Sequence, residues 1–167
     1  MKLPWRRLIN QRTILLLSIM AFVVFFLQLR EGRFGGGSEY DSYDQYQLVS
    51  DRQCDITNSD CTSAGEGILL KFGFKERPSA LQAFPVQLVI AGLNNPEGVE
   101  VRLVFTMKGM DMGEQKQKLS YDKKSNAWLG SAILPLCTSG RSDWHVKVEV
   151  MASRKIYLAG YDFMLVK

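Results

Sequence analysis

Nitrogen ligands and nucleophile partners are scarce in this chain: it holds one histidine, His145, and three cysteines, Cys54, Cys61 and Cys137. With a single imidazole, flanked by Trp144 and Val146, no Ser-His or Cys-His pairing is written into a local motif. Ser139, in CTSGR, lacks the glycine spacing of a nucleophile elbow, and no glycine-rich phosphate loop precedes a helix. The chain is therefore expected not to be an enzyme. A surplus of one charge is also missing once the first residues are set aside. Lys2, Arg6, Arg7 and Arg12 account for the formal net charge of +4, and the rest of the chain is balanced. A neutral body carries no electrostatic footprint for a phosphate backbone, which excludes nucleic acid as an expected partner.

Charge is absent again from Thr13 to Leu29, TILLLSIMAFVVFFLQL, where only Thr13, Ser18 and Gln28 are polar. As a helix this run covers roughly 26 Å at about 1.5 Å per residue, and Trp5 with the flanking arginines can snorkel to complete a span. A cleaved signal peptide needs small residues just beyond the apolar run. QLREGRFGGG follows instead, so an uncleaved single-pass anchor over residues 13–30 is expected, with residues 1–12 as a basic cytoplasmic tail. The body then lies outside the cytoplasm, and the expected placement is the inner membrane with the C-terminal domain in the periplasm. Cysteines there pair or are held by a metal. Cys54 and Cys61 are candidates for one disulfide or for a redox-responsive ligand pair, which leaves Cys137 over.

Residues 31–66 read as a linker and cysteine-containing segment: three consecutive glycines, mixed acids, and Tyr40, Tyr43 and Tyr46, which stay unassigned. From Gly67 the pattern becomes short apolar runs separated by turn residues. Seven strands are expected, over residues 67–74, 85–92, 99–106, 116–121, 127–134, 144–151 and 156–165. Val99, Val101, Leu103 and Phe105 share one face, as do Trp144, Val146, Val148 and Val150, which turns His145, Lys147, Glu149 and Met151 to the other. With no helical period after residue 30, the expected fold is all-β: an immunoglobulin-like antiparallel β-sandwich over residues 67–167 behind one N-terminal transmembrane helix.

The chemistry concentrates in VRLVFTMKGMDMG, residues 101–113, where Met107, Met110 and Met112 crowd around Gly109 and Gly113. Thioethers are soft, uncharged ligands suited to Cu(I), although methionines also fill gaps in cores. Cys137, in the loop LPLCTSGRSDW, reaches the methionine turn if both lie at one end of the sandwich. His145 is either a surface residue or a further ligand. Copper, held by Met107, Met110, Met112, His145 and Cys137, is the expected metal.

GMDMG after a strand, then WLGSAILPLCTSGRSDWHVKVEV, resembles the FixH and YtkA-like families of membrane-anchored or exported sandwich domains: a methionine motif M-x-M-G, an aromatic and glycine strand, a Gly-Arg turn and a Trp-led strand pair. The likeness spans residues 67–151, and FixH-like members share the single N-terminal anchor. Asp111 stands where those families often carry proline, and Cys137 where they often carry methionine. The resemblance implies copper binding or delivery in assembly of a respiratory haem-copper oxidase, with an oxidase subunit or another membrane complex as partner. A structural accessory subunit of a larger membrane complex is the alternative.

Overall fold

The computed structural model describes residues 16–24, 43–51, 53–93, 95–110, 113–137 and 139–165, and the chain divides into two compact units, Met1–Asp41 and Ser42–Lys167. In the first unit, residues 16–24 are helical and exposed throughout, Leu16, Ile19, Met20 and Phe22 among them. Among the described residues no helix is long and apolar enough to cross a membrane; residues 13–15 and 25–30 of the expected anchor lie outside them.

The second unit is all-β. Among the described residues ten strands form one sheet: β1 (Asp44–Gln47), β2 (Val49–Ser50), β3 (Cys61–Gly65), β4 (Ile68–Phe74), β5 (Phe84–Ala91), β6 (Glu100–Met107), β7 (Gln115–Asp122), β8 (Ala127–Ala132), β9 (Asp143–Ala152) and β10 (Lys155–Met164), in the order β1-β10-β9-β6-β7-β8-β5-β4-β3-β2. The last seven coincide with the seven expected runs to within two residues at each end, because period-two alternation marks a half-buried strand directly. Strands β1, β2 and β3 fall in the stretch expected to be linker and cysteine segment, which corrects that boundary from residue 66 back to the break after Asp41. DQYQ and CTSAG carry little apolar signal, and they become strands through their neighbours: Gln45 pairs in parallel with Ile156, and Ser63 pairs with Leu70.

The sheet folds over so that its two halves face each other. Two strands change halves. The first part of β7 pairs with β6, Val101 opposite Leu119, and its last residues pair with β8, Tyr121 opposite Trp128. Likewise the chain passes from β1 beside β10 to β2 beside β3 at Leu48, which is buried and donates its N–H to the Leu158 carbonyl at 2.8 Å.

Between the halves lies an aromatic core. Phe74 meets Phe163 edge-on with ring centres 5.0 Å apart, Phe84 meets Phe105, and Phe72 stacks on Tyr161. Such pairs contribute beyond their buried area, about 0.5–1.5 kcal/mol each. A polar link crosses the same space: Ser63 Oγ lies 2.5 Å from Tyr161 Oη and 2.7 Å from Ser50 Oγ, so the buried Ser63 and Tyr161 hydroxyls and the half-buried Ser50 hydroxyl satisfy one another. Burial, only partly offset by the Ser63 hydroxyl, pushes the Tyr161 phenol above its usual range, so this chain stays neutral.

On β9, Trp144, Val146, Val148 and Val150 are all buried against this core, as their alternation requires. Glu149, on the opposite face, is nonetheless only 4 % exposed. Its carboxylate takes the Lys147 ammonium at 2.8 Å, a pairing that makes burial of the charge tolerable.

Candidate functional site

Antiparallel pairing brings the end of β6, the end of β8, the start of β9 and the end of β10 to one pole of the sheet. The loops after β6 and β8 therefore meet. Strand β6 closes in a turn in which Met110 N–H donates to the Met107 carbonyl at 3.5 Å, with Gly109 at φ +67, where a side chain is disfavoured. Lys108 N–H donates to the Asp143 carbonyl at 3.4 Å, which fastens this turn to the start of β9.

Cys137 arrives from the other loop, 27 residues away in sequence, and its thiol donates to Met110 Sδ at 3.2 Å. Ser139 Oγ lies 2.9 Å from the same sulfur. Because the single thiol proton points at Met110, the Ser139 hydroxyl is the donor in that second contact. Hydrogen bonds from the Ser139 hydroxyl and backbone, then the Arg141 backbone and guanidinium charge, hold the Cys137 thiol below its usual range against the opposing effect of burial. The sulfur thus sits in a cradle of donors that favours a thiolate.

Arg141 ties this cradle to both loops. Its Nε donates to Asp143 Oδ1 at 2.9 Å and its Nη2 to the other carboxylate oxygen, and its Nη1 lies 3.6 Å from where a β-carbon on Gly109 would be. The paired guanidinium holds the Asp143 carboxyl down to about 2, from an ordinary 3.8. Since the folded-state value is depressed, the stabilisation from this carboxylate is present above the ordinary value and disappears as pH falls through about 2. Carbon-detected titration should place the Asp143 midpoint near 2, and Arg141→Gln should move it most of the way back to 3.8. An unchanged midpoint would mean that Arg141 is not its partner in solution.

Of the residues expected to bind metal, Met110 and Cys137 are in direct contact. Met107 is buried in the core, opposite Trp144 in register. Met112 lies outside the described residues. His145 is not brought to the sulfurs: it faces away from Trp144, its Nδ1 lies 2.7 Å from Asp162 Oδ1, and its ring lies over Gly160, where a β-carbon would meet Cε1 at 2.9 Å. The period of two that buries Trp144 forces this. Asp162 also takes Lys108 Nζ at 2.5 Å, and although burial would raise its carboxyl, Lys108 and His145 outweigh that and hold it below the usual range. Among the described residues no three His, Cys, Asp or Glu side chains gather as a metal site.

The structure joins Cys54 to Cys61 by a disulfide and leaves Cys137 as a buried free thiol. Ser139, Arg141 and Asp143 went unread in the sequence as site residues. Their only local signal was the Arg-x-Asp spacing just ahead of a strand. A cavity of about 280 Å³ beside Lys108, Asp143 and Trp144 also opens at this pole, but its carboxylates are already engaged, Asp55 by Thr57 and Asn58, Asp143 by Arg141, and Asp162 by Lys108 and His145. No family model, no curated protein and no solved structure matches the chain.

Proposed function

We propose that this chain is a membrane-anchored, extracytoplasmic copper-binding protein whose ligands are Cys137 and Met110, serving copper delivery in the assembly of a haem-copper oxidase. The observation that carries the metal is the contact of a donor-cradled thiol with a thioether across two loops, at 3.2 Å. Thiolate and thioether together suit Cu(I) and are poor ligands for hard divalent ions. Two sulfurs bound to one ion at about 2.3 Å each sit roughly 3.8 Å apart at a tetrahedral angle. The pair must therefore part by about half an ångström, within reach of the rotatable methionine side chain. Met112 is the candidate third ligand, and Met107 reads as packing.

The anchor is supported by the uncharged run from Thr13 and by the exposed apolar surface all round residues 16–24, as a lipid-facing helix requires. An immunoglobulin-like sandwich is supported by the two facing half-sheets and by a first strand that runs parallel to the last before changing halves. Delivery to an oxidase follows the FixH and YtkA-like resemblance. The second reading, a structural accessory subunit, is favoured by Leu81, Ile133 and Leu136, apolar side chains exposed on the loops after β4 and β8.

Competition for Cu(I) against a chromogenic chelator tests the metal. Cys137→Ser should weaken copper binding by about 100-fold and Met110→Leu by about tenfold, in the range expected when a ligand or its support is lost. Met107→Leu should leave it unchanged. Equal retention by all three variants, or no retention by the parent protein, would hand the site to packing and favour the subunit reading.

A further inference from the structure

The two places where the sheet changes halves are not alike. At the first, Leu48 fills the junction between β1 and β2 and bonds across it to Leu158. At the second the sheet is open. Among the described residues, strand β7 is bridged to β8 from Ser120 onward, and over Gln115–Leu119 its strand partner is β6. Among the same residues, the strand partner of β8 over Gly130–Ala132 is β5. The two strands touch at Leu119 and Gly130, so closely that a β-carbon on Gly130 would lie 2.5 Å from Leu119 Cδ2, and beyond that point they diverge. A cleft of about 330 Å³ separates them, walled by Gln115, Lys116 and Gln117 on one side and Ser131 and Ala132 on the other, with Phe105 in its lining and Ile133 at its rim; the Lys116 ammonium is held by Glu114 at 2.9 Å.

We propose that this cleft takes an extended segment of a partner polypeptide as a short added strand. Both walls are strand edges, and the group that complements two strand edges is the backbone of a third strand. A strand occupies about 4.8 Å laterally and 3.4 Å along its length within a layer about 10 Å deep, or roughly 160 Å³ per residue. The cleft therefore holds about two residues, and the segment continues over the rim. Phe105 selects an apolar, β-branched side chain at the inward position, while Gln115, Gln117 and Ser131 suit polar neighbours. Apolar surface runs on past the cleft: Ile133 is 60 % exposed, Leu136 48 % and Leu81 68 %, with the Leu81 N–H bonded to the Leu134 carbonyl. That continuation fits a partner with a body beyond the inserted segment. The inference does not depend on copper.

The test uses the full-length chain in detergent micelles and a fluorescein-labelled nine-residue peptide of alternating threonine and valine. Saturable binding is expected, with amide shifts confined to residues 115–119 and 130–133. The same peptide N-methylated at every second residue keeps its side chains but loses strand hydrogen bonds, and should bind at least tenfold more weakly. Absence of saturable binding, equal affinity of the methylated peptide, or shifts elsewhere would overturn the proposal. So would slow hydrogen exchange of both cleft walls in the protein alone: if independent of protein concentration, the chain fills its own cleft, and if it grows with concentration, a second copy does.

Discussion

Gly92→Ala should cost about 2–4 kcal/mol of stability, read as a lowered midpoint in urea unfolding. Gly92 sits at φ +91, beyond the left-handed region that L residues tolerate, and that strain alone is worth about 1–3 kcal/mol. A β-carbon there would also lie 2.2 Å from the Gly67 carbonyl oxygen and 3.1 Å from Ile68 Cα. Both obstacles are backbone, so no side-chain rotation relieves them, and the β4–β5 pairing that continues from Leu69 opposite Ala91 must shift. Gly98 supplies the control. Its φ is +89 and nothing lies within 4 Å of its added carbon, so Gly98→Ala should show strain without collision and cost clearly less. Equal losses at the two positions would show that the β4–β5 junction yields freely.

Trp144→Ala should cost more, about 3–5 kcal/mol, the usual range for removing a large aromatic from a core. Trp144 is 1 % exposed, faces Phe163 and Met107 across its two neighbouring strands, and leads the strand whose start anchors Lys108. Its indole Nε1 is buried with no hydrogen-bond partner among the described residues. That orphaned donor already carries a desolvation penalty, so Trp144→Phe, which removes the donor and keeps much of the ring, should cost far less than the alanine change. Calorimetric comparison of the two variants decides the matter. Near-equal losses would mean that the indole N–H has a partner in solution.

The sheet was legible wherever alternation was strong. Val101, Leu103 and Phe105, or Trp144 through Val150, announce their faces without help. Asp44–Gln47 do not, because their strand character is conferred by β10 rather than by their own side chains. The same limit governs the candidate site. From the sequence, Cys137 could reach the methionine turn only if both loops lay at one end of the sandwich; the pairing of β6 with β7 and of β7 with β8, which makes β6 and β8 run the same way, meets that condition. Nothing in the spacing told that Ser139 and Arg141 would surround the sulfur with donors, because that depends on how a turn through Gly140, at φ +76, directs its N–H groups. His145 was legible as outward-facing, and the pairing with Asp162 came from register alone.

The junction at Leu48 also sets a timetable. Its strand is among the first of this unit to leave the ribosome, yet Asp44 pairs with Lys155 and Leu48 bonds to Leu158, near the other end of the unit. Contacts between such distant residues bear a large loop-closure entropy and form late. Strands β3 to β9 can assemble by pairing with neighbours emerging around them, but the sheet is sealed only after β10 has been made. Until then β1 and the outer edge of β9, the two partners of β10, stand open, and the half-built domain needs protection from pairing with other chains.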